Sequence, residues 1–302
     1  MKITVTGATG LIGKQLVAAL KERGDEVTVL SRNAEAAAEA LGVKALAWNP
    51  LTEEAPIAAV DEADAVVHLA GESVSQRWTA KSKEAIRASR VDGTSNLVAA
   101  MRQAPNRPKA FICGTAVGWY GPRGDEPVDE STPAGSDFLA EVCVAWEATA
   151  NQATEFGVRT ALIRTGVVLS EDGGALARML PPFKAGVGGP VAGGAQMMPW
   201  IHIDDIVRLF IAAIDGGSEW AGPINGTAPT PVSNKVFSKS LGKALRRPSF
   251  SPVPSIAIKA MYGEMAQIVL TGQNAVPAKA ESLQFAWTHP NVDEALASLV
   301  GK

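Results

Sequence analysis

The sequence predicts an α/β fold in which a doubly wound parallel sheet is followed by a smaller C-terminal α/β lobe. Apolar, β-branched runs alternate with helical patterns over the first two thirds of the chain. This alternation is typical of a parallel sheet covered by helices on both faces. The first run, at residues 3–5, leads directly into a glycine-punctuated turn and a helix. Together these observations favour a Rossmann-type fold, whose ligands bind at the carboxyl ends of the strands.

The turn after the first strand has the spacing of a dinucleotide-binding loop. We expect Gly7 to permit the tight exit from the strand, Gly10 to let a diphosphate approach the backbone, and Gly13 to let the helix pack close to the sheet. The free N–H groups of the helix start then face the diphosphate. The alternative is a glycine-rich turn without a ligand. The cofactor contacts predicted in this loop are Gly7, Thr9, Gly10, Leu11, Ile12 and Gly13.

The end of the second predicted strand, residues 26–30, indicates which dinucleotide binds. An acidic residue at this point holds the ribose hydroxyls of NAD, whereas an arginine accommodates the 2′-phosphate of NADP. The sequence places Ser31 and Arg32 here, so we predict NADP(H) as the cofactor. The alternative is a solvated loop arginine, a common surface residue.

The remaining elements of the first domain follow in order. Further strands are predicted at 44–48, 64–71, 109–115 and 158–164, and helices at 33–41, 79–103 and 137–152. Residues 173–199 are rich in glycine and proline, so we expect a long irregular loop that covers a site. Prolines become frequent beyond residue 222. We therefore predict an NADP-binding domain at 1–221, with loop 173–199 reaching toward a substrate-side lobe at 222–302.

Composition restricts the class of partner. The net charge of −3 and the isoelectric point near 5.7 give no electrostatic footprint for nucleic acid. No apolar run approaches the roughly 18 residues of a membrane span. The sequence has two cysteines, and its first strand lies where a leader peptide would be, so we expect a cytoplasmic protein. Three scattered histidines show no metal-ligand spacing, and we predict no metal. We expect a small-molecule substrate and a monomer or homodimer.

Several motifs resemble the extended short-chain dehydrogenase/reductase superfamily, which includes nucleotide-sugar epimerases and dehydratases. They are the Gly7-x-x-Gly10-x-x-Gly13 loop, Leu69-Ala70-Gly71, Gly93-Thr94 and the segment 200–205. More narrowly, residues 69–72, Cys143-x-x-Trp146-Glu147, 164–169, 179–183 and the tail from 222 are similar to SDR39U-type, YfcH-like epimerase-family proteins. The resemblance implies NADP binding with an unassigned substrate. On the basis of this resemblance we expect further cofactor contacts at Leu69, Ala70, Gly71, Glu72, Arg90 and Val167.

The chain departs from this superfamily at its reactive residues. The superfamily uses a tyrosine and a lysine four residues apart on one helix, where the lysine lowers the pKa of the tyrosine. Neither tyrosine of this chain has a lysine at that spacing. Cys143 and Glu147 stand where the pair belongs, Arg90 replaces an asparagine, and Thr115 retains the hydroxyl that would hold a substrate oxygen.

The candidate catalytic residues are therefore a substitute set: Thr115, Glu147, Cys143 and Glu72, with Tyr120 and His202 as further candidates. Each has a structural alternative. Cys143 can be a small apolar filler, His202 can pair with the backbone or Asp204, and the two glutamates can form ion pairs with Arg90 or Arg164. Two functions remain open. One is an NADP-dependent epimerase, dehydratase or reductase acting on an unidentified polar molecule; the other is a catalytically weak NADP-sensing protein that signals cofactor state to a partner.

Overall fold

The computed structural model describes residues 1–301, and its strands fall into one large sheet and three small pairs. In chain order the strands are β1 (Lys2–Thr6), β2 (Glu26–Ser31), β3 (Lys44–Ala47), β4 (Ala65–His68), β5 (Ala110–Ala116), β6 (Pro127–Val128), β7 (Arg159–Thr165), β8 (Val167–Ser170), β9 (Met197–Met198), β10 (Trp200–His202), β11 (Gly222–Gly226), β12 (Val232–Ser233) and β13 (Asn274–Ala275). The central sheet has the order β11-β7-β5-β4-β1-β2-β3, and all of its pairings are parallel.

Helices cover both faces of this sheet, as predicted. They are α1 (Leu11–Glu22), α2 (Ala34–Leu41), α3 (Ile57–Val60), α4 (Ala80–Gln103), α5 (Phe138–Asn151), α6 (Gly174–Lys184), α7 (Ile203–Asp215), α8 (Asn234–Leu245), α9 (Ser255–Tyr262), α10 (Ala266–Leu270), α11 (Ala278–Ser282) and α12 (Val292–Val300). One core cluster joins the sheet to α1, α2 and α7, and a second joins the opposite face to α3, α4 and α5. The doubly wound architecture is confirmed.

Strand β1 lies beside β4, the central strand of the seven-stranded order. Its residues Ile3 and Val5 are buried with the α1 residues Leu16 and Leu20, which explains the β-branched run and the helical spacing of the sequence. Strand β1 pairs with β2 on one side and β4 on the other. The direction of winding therefore reverses at β1, and a crevice at its carboxyl end is the expected ligand position in such a sheet.

The prediction of an irregular loop over residues 173–199 is wrong for its first half. Residues Gly174–Lys184 form helix α6, which contains Pro181 and Pro182. Leu176, Leu180 and Phe183 recur at helical spacing and are buried, so tertiary packing on the helix offsets the two missing N–H donors. The remainder, up to β9, contains only turns and an isolated bridge.

Beyond the central sheet the chain is mostly helical. Strand β11 belongs to the central sheet, so the sheet extends five residues past the expected division at 221/222. The division itself stays a prediction. Helices α8 and α12 contact each other and pack with α6 around a third core cluster. Among the helices that the structure describes, none has both the length and the apolar content needed to cross a membrane.

Candidate functional site

The loop between β1 and α1 is held against the exit of β4. Gly7 has φ +66°, a conformation that L side chains rarely adopt, and a Cβ there would lie 2.5 Å from the backbone carbonyl carbon of Leu69. A Cβ at Gly13 would clash with the carbonyl oxygen of Gly7 and with the backbone of Ala8. Gly13 therefore lets α1 begin close to its own loop, whereas the sequence predicted close packing on the sheet.

The N-terminus of α1 presents free donors in this crevice. Gly10 is the N-cap and contributes no side-chain cap, and the first backbone bond of the helix runs from the Lys14 N–H to the Gly10 carbonyl. Within residues 1–301 the N–H groups of Leu11, Ile12 and Gly13 have no hydrogen-bond acceptor. A Cβ at Gly10 would meet only the Gly7 oxygen, at 3.2 Å. This cradle fits the diphosphate of a dinucleotide.

At the carboxyl end of β2, Ser31 and Arg32 have different surroundings. The Ser31 hydroxyl donates to the Asn33 carbonyl at 3.1 Å and accepts the Asn33 N–H at 3.2 Å, while the Asn33 side chain caps α2. Ser31 thus shapes the turn. Arg32 is exposed and has no ion-pair or hydrogen-bond partner in the described part of the chain. Its guanidinium is free to bind an anion.

The exit of β4 is fixed by Thr6 and Arg90. The Thr6 hydroxyl accepts the N–H groups of Leu69 and Ala70, each at 3.2 Å, and forms a hydrogen bond with His68 Nδ1 at 2.6 Å. Arg90 Nη1 donates to the carbonyl of Glu72 at 2.9 Å, so Glu72 contacts Arg90 through its backbone. The alternative of an ion pair between Glu72 and Arg90 or Arg164 is not observed among residues 1–301. The structure therefore places Arg90 beneath the predicted cofactor-binding segment.

Glu147 lies in a buried polar network. Arg164 Nε and Nη2 donate to the two Glu147 carboxylate oxygens, both at 2.9 Å, and the Thr115 hydroxyl donates to Glu147 Oε1 at 3.0 Å. Arg164 Nη1 also donates to the Tyr120 hydroxyl, and its guanidinium stacks on the Trp119 ring at 3.9 Å. The ion-pair alternative for Glu147 is thus observed.

Cys143 and Tyr120, which lie close to Glu147 and could also exchange a proton, are poor proton donors and acceptors near neutral pH. Burial raises the pKa of the Cys143 thiol to about 12, and the nearby Glu147 charge adds to this effect. Burial likewise raises the pKa of Tyr120 to about 12 against the opposing influence of Arg164. Neither group is the low-pKa acid on which the superfamily's hydride chemistry depends.

Two histidines that are far apart in the sequence meet in the structure. The His202 and His289 rings stack with centroids 3.7 Å apart, and Asp204 Oδ2 lies 3.5 Å and 3.4 Å from their nitrogens. His202 Nδ1 accepts the Asp204 N–H at 3.0 Å and so caps α7, which is the predicted structural role. Asp205 accepts the N–H groups of Thr288 and His289. Through these contacts the C-terminal region packs against the start of α7.

This histidine cluster was missed because no sequence spacing reveals it. His202, Asp204 and His289 could in principle supply metal ligands. However, the Nδ1 lone pair of His202 already accepts the Asp204 N–H, and Ser298 lies 3.3 Å from the other ring nitrogen of His202. Burial, and then the charge of His289, lowers the pKa of His202. These features favour a structural contact.

Two open cavities adjoin the site on the C-terminal side. One, of about 670 Å³, is lined by residues of α9 and α10, including Lys259 and Gln267. The other, of about 440 Å³, is lined by Tyr120, Arg123 and Asp137, and Gln267 borders both. Gln267 donates to Asp137 Oδ2, the N-cap of α5, at 2.9 Å. The C-terminal helices thus reach the elements that carry Cys143 and Glu147.

The crevice at β1, the free helix N-terminus and the exposed arginine define a protein of the dinucleotide-binding Rossmann class. The chain belongs to the NAD dependent epimerase/dehydratase family, whose model matches residues 3–223. Residues 253–299 match a second family model, a domain of unknown function called DUF1731.

Relatives match along nearly the whole chain. The chloroplastic epimerase family protein SDR39U1 homolog of Arabidopsis thaliana is 42% identical, over 99% of this chain and 87% of that protein. The crystal structure of human epimerase family protein SDR39U1 (isoform2) with NADPH is 33% identical, covers 99% of both chains and has a TM-score of 0.89. The UDP-glucuronic acid 4-epimerase of Bacillus cereus, at 20% identity and a TM-score of 0.80 over 99% of this chain and 98% of that one, shares the fold.

The structure brings most of the predicted site residues to one edge of the sheet. The glycine loop, Ser31-Arg32 and the 69–72 segment all follow the carboxyl ends of β1, β2 and β4. Thr115, Cys143 and Glu147 cluster between β5 and α5. Val167 begins β8, directly after β7. Sequence reasoning did not predict that Thr115 donates directly to Glu147, that Arg164 links Tyr120 to Glu147, or that Gln267 reaches Asp137.

Proposed function

We propose that this chain binds NADP(H) and is an epimerase-, dehydratase- or reductase-type protein acting on an unidentified polar small molecule. The observation that carries the proposal is the pairing of a free α1 N-terminus with the unpartnered Arg32 at the end of β2. The NADPH in the human SDR39U1 structure supports it. The loop from Gly7 to Gly13 holds the diphosphate, Arg32 holds the 2′-phosphate, and residues 69–72 with Val167 border the rest of the cofactor.

Bound NADP(H) supplies hydride transfer at its nicotinamide ring. The chain's own residues supply the orientation of the substrate. Thr115 stands at the superfamily's substrate-holding position, and Glu72 remains the candidate for handling a proton because, among the described residues, its carboxylate accepts a hydrogen bond only from the Gln76 amide, at 3.2 Å. The C-terminal helices around Gln267 provide the substrate side of the site.

Titration calorimetry with NADPH and NADH tests the cofactor assignment. NADPH is expected to bind more tightly, and Arg32→Asp is expected to weaken it by about 1.5–3 kcal/mol through loss of a charge-assisted contact. NADH binding should change little. Arg87→Asp, at an exposed arginine on α4, is the matched control and should leave both affinities unchanged. Equal affinities of the unmodified protein for the two cofactors would contradict the assignment of NADP(H) as the cofactor.

A second function is a catalytically weak NADP sensor that signals cofactor state to a partner. The high pKa values of Cys143 and Tyr120 and the ion pairing of Glu147 favour it. Mass spectrometry of small molecules that co-purify, followed by incubation with NADP⁺ and NADPH, separates the two functions. Conversion of a co-purified molecule supports the enzyme. Cofactor binding without conversion, combined with a cofactor-dependent change in surface hydrogen exchange, supports the sensor.

A further inference from the structure

The side chains that replace the superfamily's reactive groups donate their hydrogens into the protein. The single hydrogen of the Thr115 hydroxyl is directed to Glu147 Oε1 at 3.0 Å. The single hydrogen of the Cys143 thiol is directed to the Ala116 carbonyl at 3.8 Å. A hydroxyl has one hydrogen and further lone pairs. Thr115 can therefore only accept a hydrogen bond from a ligand, and the Cys143 thiol has no further hydrogen to donate.

Glu147 fixes this direction because it can only accept. Both of its oxygens receive donors from Arg164 at 2.9 Å, and the side chains of the pair are 5% and 3% exposed. A carboxylate has no hydrogen to return to Thr115. Reversing the Thr115 hydroxyl would leave a buried carboxylate lone pair facing a hydroxyl lone pair, which is unfavourable in a site that excludes water.

We propose that Glu147 is a positioning residue that makes Thr115 a hydrogen-bond acceptor, so that the site takes ligands presenting a hydroxyl or amine and discriminates against the matching ketone. This inference rests on the proposed function, because it places the ligand beside a bound cofactor. Beyond the proposed function, it specifies that the ligand group in contact with Thr115 is a hydrogen-bond donor. A ketone oxygen there would face a lone pair without a donor, which corresponds to a preference of about 10-fold or more for the alcohol.

Two substitutions of Glu147 separate an acceptor at this position from its loss. Glu147 Oε1 accepts both the Thr115 hydroxyl and Arg164 Nε. In Glu147→Gln the amide oxygen is expected to take this position, so Thr115 should keep donating to it and the preference for the alcohol should remain. In Glu147→Leu/Arg164→Met no acceptor remains there, and the Thr115 hydrogen is free for a ligand. The double variant is therefore expected to lose the preference for the alcohol.

The experiment measures dissociation constants of tetrahydropyran-4-ol and tetrahydropyran-4-one by ligand-observed NMR on the full chain loaded with NADP⁺. NADPH absorbance reports any oxidation of the alcohol during the measurement. The unmodified protein should bind the alcohol at least about 10-fold more tightly. Thr115→Ser should retain the preference and Thr115→Val should abolish it. Thr160→Val, which removes a buried hydroxyl on β7 outside the site, is the control and should retain it.

Four outcomes would overturn the inference: equal affinities in the unmodified protein, binding of neither probe, an unchanged preference in Thr115→Val, or an unchanged preference in a folded Glu147→Leu/Arg164→Met. If this double variant does not fold, the two Thr115 variants decide. NADP⁺ binding is measured on the same samples. Failure of NADP⁺ to bind overturns the proposed function together with this inference, whereas normal NADP⁺ binding without a preference for the alcohol overturns this inference alone.

Discussion

Glu147 and Arg164 form a bidentate ion pair in the interior, with both N···O distances at 2.9 Å and both side chains at most 5% exposed. The pair joins α5 to β7 at the helix position where related enzymes of the superfamily carry a lysine. A lysine there lowers the pKa of a tyrosine, whereas here burial, and then the charge of this glutamate, raises the pKa of Cys143. In this chain Glu147 instead accepts hydrogen bonds from Arg164 and Thr115, and Arg164 extends the network to Tyr120.

Removing one partner of this pair should be strongly destabilising. Glu147→Ala leaves the Arg164 charge buried and unpaired, with an expected loss of about 3–5 kcal/mol in the free energy of unfolding. The double variant Glu147→Leu/Arg164→Met removes both charges and should lose much less. Glu155→Ala, which breaks the exposed Arg102–Glu155 pair, is the control and should cost at most about 1 kcal/mol. Urea denaturation measures all three, and a double variant as unstable as Glu147→Ala contradicts the prediction.

Gly10 and Gly13 should respond differently to added side chains. At Gly10 the backbone is extended and a Cβ meets only one oxygen, so Gly10→Val should keep the melting temperature and lose NADPH binding. At Gly13 a Cβ enters the backbone of the loop, so Gly13→Ala should lower the melting temperature. Calorimetric binding and thermal melting of both variants test this difference. Unchanged NADPH affinity in Gly10→Val would show that the loop does not bind the diphosphate.

His68 should make stability depend on pH. Burial, with a smaller contribution from Arg90, lowers its pKa from 6.5 to about 4. Between these values the unfolded chain binds a proton that the folded protein does not, so stability falls as pH decreases through this window. The His68 contribution is complete above pH 6.5, and about 3 kcal/mol is lost on acidification to pH 4.

The matched comparison for this pH effect is His68→Asn, which keeps a hydrogen-bonding side chain beside the Thr6 hydroxyl and has no titration in this range. Its unfolding free energy should fall less steeply between pH 6.5 and 4 than that of the unmodified protein. Denaturant titrations at several pH values give both slopes. Identical slopes would assign the acid sensitivity to other groups, such as His202, whose pKa is also lowered by burial.

The sequence by itself determined the features that depend on residues close together in the chain. The spacing of Gly7, Gly10 and Gly13 after a buried strand predicted the tight glycine loop before α1, and the position of Arg32 after the second apolar run predicted an arginine at the end of β2. Strands and helices followed from periods of two and 3.6 residues. The missing tyrosine–lysine pair was equally visible, because it is a four-residue spacing on one helix.

Tertiary structure decided the features that depend on partners distant in the chain. Arg164 meets Glu147 because β7 lies beside β5 and α5 packs over both, and His202 stacks on His289 because the C-terminal region folds back onto α7. Helix α6 forms in spite of its prolines because Leu176, Leu180 and Phe183 are buried against neighbouring elements. Local sequence fixes which groups are available, whereas packing fixes which of them are buried together, and burial sets their pairing and pKa values.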